Sequence, residues 1–367
     1  MRSAFSKLAW LGIGALAVIA LLEVVLRCLP VSMGLYRTEQ ANRWPLISYE
    51  PHLPYAYSFT WAMLNAHRGV TNNYGHIAPF DYRPGSRPLI VVGDSFVESL
   101  MNDYADTLQG QLAARLGPGA PVYGLGVSGL SASDYVALAR QAKEEFRPAA
   151  AVIVLIDGDI GESLTPRLGN YYLAPESGGL ALRYLPMPAS SAMKRIRKQI
   201  GDISLYRYFQ ANLAFSPEAL LQPLRPAAAH AAASDRADRD VQRQRQAVEW
   251  FLAELPAAAG LPPECIVLLL DGDRYALYDP RQASTPKDRP ETRSALIAEA
   301  ARRGFRVGDL GPAFRAAYRA NHEKLDYWPF DRHWNRAGHG VAAAEAHRLL
   351  YGEGRGAACR PGTERSP

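Results

Sequence analysis

The sequence predicts an α/β protein: a parallel sheet of about five strands covered by helices, with an insertion and one N-terminal transmembrane helix. Three observations predict it. Short, β-branched apolar runs alternate with helical patterns from Leu89 to Ile156. The alternation returns at Ile266 and continues to about Leu350. Ahead of both, Leu8 to Leu29 reads LAWLGIGALAVIALLEVVLRCL, which as a helix spans the hydrocarbon core of a bilayer.

The elements follow in chain order. Residues 1–7 carry Arg2 and Lys7 and read as a cytoplasmic n-region. Residues 8–29 form the span. No small-x-small site follows them, so the expectation is a retained signal-anchor and not a cleaved signal. A long domain behind a signal-like first helix is usually translocated, which puts residues 30–367 outside. Residues 30–85, rich in Tyr, Pro and Asn, read as an irregular arm. The α/β domain takes residues 86–351. Its first strand is Leu89 to Val92, stopped by Gly93. A helix follows over Thr107 to Leu116, then a strand from Pro121 to Tyr123. Ser131 opens the next helix, with Asp134 three residues on as a capping box. Ala151 to Ile156 is the third strand. Regularity lapses over about 163–234, an insertion that includes a helix at Ala192 to Ile200. A helix over Asp238 to Leu255, strand Ile266 to Leu270, helix Thr292 to Arg303, strand Phe305 to Val307 and a helix from about Arg336 to Leu350 complete the domain. Residues 352–367 read as a disordered tail.

Composition narrows the function classes. The 367 residues are 48% hydrophobic with a formal net charge of +5, and the arginines are scattered, so no nucleic-acid footprint is expected. Cys28, Cys265 and Cys359 share no metal-like spacing and imply no disulfide framework; Cys265 reads as a small buried hydrophobe. No cofactor is called for. Gly124-x-Gly126-x-x-Gly129 has the spacing of a dinucleotide fingerprint, but it sits on the second strand and lacks a suitably placed acid. Asp157, Asp159 and Glu162 have no nearby His and read as a solvated loop, not a metal site.

Ligands of open α/β sheets bind beyond the carboxyl ends of the strands. The loops there contain Gly93-Asp94-Ser95, the glycine turn at Gly126 and Asp157-Gly158-Asp159; Asp331-Arg332-His333 precedes the last helix. A serine hydroxyl needs a base to attack a carbonyl. His333 can supply it. Asp331, two residues earlier in an extended loop, can point the same way and hold the imidazole. Trp328, Trp334 and Tyr327 flank the pair and suit core packing and sugar stacking equally.

These residues resemble the SGNH/GDSL hydrolase superfamily. Asp331-x-His333-Trp334-Asn335-x-x-Gly338-His339 and Asn72-Asn73-Tyr74-Gly75 are similar to its membrane-anchored envelope-glycan branch, which includes O-acetyl esterases and acetyltransferases. The resemblance covers roughly 70–160 and 260–350. It implies a flavodoxin-like three-layer sandwich, Ser95 as nucleophile, His333 as base, Asp331 as orienter, and the Ser95 and Gly126 N–H groups as oxyanion donors. It implies serine-dependent transfer or hydrolysis of an acyl group, expected to be acetyl, on an extracytoplasmic glycan or a small ester. With the anchor it implies a single-pass protein of the bacterial inner membrane, its domain in the periplasm or outside the cell, working beside envelope polysaccharide machinery. Two departures stand out. The Asp lies two residues before the His instead of three, as in glycan O-acetylating relatives. The family's third oxyanion donor, an Asn after the third strand, is replaced by Gly158, so an Asn placed there is expected to complete the hole. The rival expectation is a weak or inactive member that binds glycan or a partner through the same cleft.

Overall fold

The computed structural model describes residues 2–33, 35, 37–40, 46–187, 199–213, 233–283, 286–352 and 359–362. The chain divides into two units.

The larger unit is built on five parallel strands: Leu89–Gly93, Val122–Gly126, Ala150–Leu155, Ile266–Leu270 and Arg306–Asp309. In space they run second, first, third, fourth, fifth, the flavodoxin-like order. The first four strands are buried at every position, because a parallel sheet covered on both faces offers no solvent side. Helices Ala132–Phe146, Ala233–Ala259 and Pro290–Arg302 pack on one another as one layer, and Leu108–Leu116, Leu310–Asn321 and Arg336–Tyr351 as the other. Local chemistry sets their starts. Thr107 caps Leu108–Leu116 by accepting from the Gly110 N–H. Asp134 accepts from the Ser131 N–H at 3.0 Å, the expected capping box.

The structure corrects several expectations. Helix Leu310–Asn321, with Gly311-Pro312 in its first turn, adds to the elements expected. Asp309 caps that helix by accepting from the Gly311 N–H at 2.9 Å, and a proline in the first turn has no N–H to lose. The arm is not irregular throughout: Arg37–Gln40 pairs antiparallel with Leu46–Tyr49. Strand RTEQ is polar along its length, so no alternation betrayed it. The Asn72–Gly75 motif is a turn in which the Asn72 carboxamide oxygen accepts from the Tyr74 and His76 N–H groups, both at 2.9 Å. Cys265 and Cys359 form a disulfide that closes a sequence separation of 94 residues. With it, the Gly362 N–H donates to the Arg87 carbonyl at 3.1 Å, so residues 359–362 are held against the sheet's amino end where disorder was expected. Two cysteines far apart in sequence give no spacing signal. The start of the insertion carries an antiparallel hairpin, Tyr171–Glu176 with Gly179–Tyr184. Most of the helix expected at Ala192 to Ile200 lies outside the described residues.

The smaller unit holds the N-terminal helix Arg2–Cys28, whose stretch Ala9–Cys28 is long and apolar enough to cross a membrane. It also holds the paired strands Pro54–Phe59 and Leu64–Val70 and the short helix Ser204–Arg207. At the end of the apolar stretch Glu23 accepts from the Ser204 and Leu205 N–H groups at 3.0 and 2.8 Å, placing a carboxylate on a helix start.

Candidate active site

Ser95 stands at the carboxyl end of the first strand, beside the third, where the strand order reverses. The chain passes from strand to the helical turn Ser95–Glu98 with no intervening loop. Gly93 permits this: a Cβ there would lie 2.6 Å from Val97 Cγ2. Asp94 caps the turn, its Oδ1 accepting from the Phe96 N–H at 3.0 Å. Burial pushes the Asp94 carboxyl up to about 6, against the pull of the Phe96 N–H and of His333.

His333 and Asp331 share strand Asp331–Trp334, which pairs antiparallel with Asp326–Tyr327. Residues two apart on a strand face the same side. Asp331 Oδ1 accepts from the His333 backbone N–H at 2.8 Å and from its Nδ1 at 2.5 Å. A carboxylate on Nδ1 requires the proton there, which leaves Nε2 as acceptor for the Ser95 hydroxyl at 2.8 Å. Asp94 Oδ2 is the more distant acceptor, 3.4 Å from the same hydroxyl. Burial lowers the His333 pKa, but the hydrogen bond and charge of Asp331 outweigh it and the net shift is upward. The His333 side chain keeps 26% of its surface exposed, enough for a substrate to reach it. Thus the structure brings Ser95, His333 and Asp331 into one hydrogen-bonded line.

A buried network fixes that strand. Arg274, in the loop after the fourth strand, donates to Asp326, Asp271 and the Arg332 carbonyl. Asp271 also accepts from the Trp334 indole at 3.0 Å. The sequence does not single these residues out, because Arg274 and Asp326 lie 52 residues apart and meet only in the fold. Trp334 is fully buried between Phe96, Phe314 and His339 and cannot stack on a sugar. Asn335 caps the last helix, accepting from the Gly338 N–H at 3.1 Å. A Cβ on Gly338 would lie 2.2 Å from the Leu325 carbonyl oxygen. The residues after His333 therefore serve the packing of the helix that follows.

On the opposite flank, Gly126 lies directly on the Ser95 turn: a Cβ there would be 2.2 Å from the Glu98 nitrogen. Gly124 and Gly129 are less tight, a Cβ on either lying 2.9 Å from the end of the Gln109 or Arg37 side chain, so the fingerprint-like glycines sit against packed neighbours. Glu98 is buried, accepting from the Tyr49 hydroxyl at 2.6 Å and the Ser128 N–H at 2.5 Å. Burial raises its pKa against those two donors.

Gly158 departs from expectation. Its N–H donates to Asp288 at 3.1 Å, so it is not offered to an oxyanion. Its φ is +106°, and a Cβ would meet Lys287 Cδ at 2.8 Å, so the position resists the Asn expected to complete the hole. The neighbouring acids also differ from a solvated loop. Asp157 accepts from the Lys287 and Asp288 N–H groups, and Asp159 is buried beneath the Tyr135 hydroxyl at 3.0 Å. Burial, then the charge of Asp94, raises the Asp159 pKa well above the usual carboxylate range.

A cleft of about 670 Å³ opens along the carboxyl ends of the third and fourth strands. Phe96 and Arg332, the chain neighbours of Ser95 and His333, line it, while Ser95 and His333 themselves do not. Leu155, Ile160 and Leu270 line its base and charged side chains its rim. Its size suits a small organic substrate.

No family model and no curated protein matches the chain. Among solved structures it is similar to an alpha/beta hydrolase from the metagenome of Lake Arreo, Spain, at 15% identity, over 73% of this chain and 96% of that one, with a TM-score of 0.39. A member of the lipolytic G-D-S-L family from Veillonella parvula aligns at 11% identity over 72% of this chain and 97% of that one, TM-score 0.35. TesA aligns at 15% identity over 72% and 98%, TM-score 0.35. Likeness at this level says nothing of chemistry, which must be argued from the site.

Proposed function

We propose that this chain is a serine-dependent esterase or O-acyltransferase of the SGNH/GDSL kind, acting through an acyl-enzyme on Ser95. The observation that carries the reading is the hydrogen-bonded line from Asp331 through His333 to Ser95. His333 Nε2 takes the Ser95 proton as Oγ attacks the acyl carbonyl, and Asp331 stabilises the imidazolium that forms. The Ser95 and Gly126 N–H groups receive the oxyanion. His333 then returns the proton to the departing alkoxide. Water or a sugar hydroxyl, deprotonated by the same histidine, releases the acyl group. The cleft beside Phe96 receives the substrate.

The acyl group is acetyl and the substrate an envelope glycan; the resemblance of the Asp331–His339 motif supports both. Two features support placement outside the cytoplasm. The apolar stretch Ala9–Cys28 can anchor the chain, and the Cys265–Cys359 disulfide suits an oxidising compartment. The proposed division is residues 1–7 inside, 8–29 in the membrane and 30–367 outside, in contact with polysaccharide machinery. A periplasm-active reporter fused at the C-terminus should be active; activity of a cytoplasm-only reporter there overturns the orientation.

A second reading is a glycan- or partner-binding protein without turnover, favoured by the lack of a donor side chain at Gly158. Labelling of the full-length chain with a fluorophosphonate separates the two. Labelling that Ser95→Ala abolishes supports the enzyme. An unlabelled, folded wild type leaves the binding protein.

A further inference from the structure

The peptide joining Arg332 to His333 is held at both ends. Its N–H donates to Asp331 Oδ1, the oxygen that also takes the imidazole Nδ1–H. Its carbonyl accepts from Arg274 Nη2 at 2.7 Å. The plane of that peptide therefore decides where the Asp331 carboxylate sits relative to the ring. Arg274 is only 4% exposed and commits its donors in three directions: Nε to Asp326 at 3.1 Å, Nη1 to Asp271 and to the Gly272 carbonyl at 3.0 Å, and Nη2 to the Arg332 carbonyl. Asp326 lies on the strand paired with Asp331–Trp334, and Asp271 holds the Trp334 indole. One guanidinium thus reaches both strands of the hairpin and the fourth strand's end. The Phe96 and Phe314 rings flank it, with centroids 5.7 and 5.2 Å from Cζ.

Holding a charge in this place has a physical reason. A rigid, planar fork with five donors can fix a carbonyl and two carboxylates together, which a lysine's single ammonium cannot. Burial would make an arginine here costly, yet the charges of Asp271 and Asp326 hold it ionised.

We propose that Arg274 is a positioning residue for the Asp331–His333 pair, acting through the Arg332–His333 peptide. Its side chain lines the cleft, but its hydrogen bonds go to Asp326, Asp271 and the Gly272 and Arg332 carbonyls and none goes to Ser95. The inference rests on the triad reading above, and the two fail differently.

The test is the pH dependence of fluorophosphonate labelling in the full-length wild type and in Arg274→Lys, with folding checked by thermal melts. The titratable groups facing His333 are Asp331 on its own strand, Asp94 and Glu98 from the turn after the first strand, and His339 from the last helix. Asp331 is the largest of the influences that raise the His333 pKa, so loosening it lowers that pKa. Arg274→Lys should label about a hundredfold more slowly, as a displaced reacting group does. Its acid limb should move to lower pH. A merely structural loss would reduce the labelled fraction and leave the limb in place. If Arg274→Lys does not fold, Asp326→Asn removes one anchor and keeps the arginine, and it should shift the limb the same way. A folded variant with wild-type rate and limb overturns the role of Arg274 and leaves the triad standing. A folded wild type that never labels overturns the triad and this proposal together.

Discussion

Two serine–histidine contacts lie side by side in this molecule, and their protons are placed in opposite ways. Ser95 Oγ meets His333 Nε2 at 2.8 Å, and Ser99 Oγ meets His339 Nε2 at 3.0 Å. They differ in what touches Nδ1. In His333 it is a carboxylate, so Nε2 accepts the serine proton. In His339 it is the Leu108 N–H, at 3.0 Å. A donor on Nδ1 forces the proton onto Nε2, which then donates to Ser99 and cannot act as a base. Burial follows the same division. His339 is 1% exposed, and burial, helped by the charges of His333 and Arg274, lowers its pKa to about 3. A serine near a histidine is thus no evidence of a nucleophile until the far ring nitrogen is examined.

The sharpest way to break this comparison is to remove the members of the first pair. Ser95→Ala and His333→Ala should each abolish acyl turnover, a fall on the order of 10⁴-fold or more against any model ester, with both variants folded. Full activity in folded His333→Ala would mean that another group is the base. Asp331→Asn should fall less, by roughly 10²–10⁴-fold, because the amide no longer enforces the tautomer but Ser95 and the ring remain. A loss equal to that of Ser95→Ala would mean that Asp331 does more than orient.

pH offers a second separation, with opposite observables. His333 must be neutral to accept a proton, so kcat/KM should rise with pH through a pKa above the ordinary 6.5. Its raised pKa adds stability below 6.5 that is lost as pH climbs through the folded value. For His339 the sign reverses. The folded state keeps it neutral down to about 3, while the unfolded chain takes up a proton below 6.5. Stability should therefore fall as pH drops from 6.5 towards 3, by up to about 1.4 kcal/mol per pH unit from this group. His76, buried with a pKa lowered to about 4, adds to the same slope. His339→Ala should flatten the slope by one group's share. It should cost roughly 2–4 kcal/mol at neutral pH through the space left by the ring and the Leu108 N–H that loses its acceptor, while Ser99 keeps Asn102 as a partner. Labelling per folded molecule should change by far less than the 10²-fold or more expected on losing a general base. Urea melts across that pH range, paired with labelling, decide it.

Much of this was legible in the sequence, and unevenly. The sheet, its five strands and most of its helices follow from β-branched runs and helical periodicity. Ser95, Asp331 and His333 could be singled out because strand ends gather ligands and because i, i+2 residues share a face. The second pair was not legible. Ser99 and His339 are 240 residues apart, and which proton sits on which nitrogen depends on the Leu108 amide, a backbone group with no identity in the sequence. Arg274 and Asp326 were hidden for the same reason: an Arg and an Asp 52 apart show no pattern until folding brings them together. The Cys265–Cys359 bond, closed across 94 residues, belongs with them.

The smallest effect is expected at Gly158, and it bears on what makes the first pair competent. If competence lies in the Nδ1 partner of His333, a further donor side chain after the third strand is dispensable. The backbone there is set against one in any case. At φ +106° an asparagine is strained, its Cβ would press on Lys287, and the Gly158 N–H is already bound to Asp288. Gly158→Asn should therefore lower stability by about 1–3 kcal/mol and leave ester turnover per folded molecule nearly unchanged. The measurement is a thermal melt beside initial rates on a simple ester. A rise of tenfold or more, the scale on which an added oxyanion donor acts, would show that the loop can turn inward and that the hole was incomplete. In that case the contrast between the two histidines would explain why Ser95 can be activated, but not how fast it reacts.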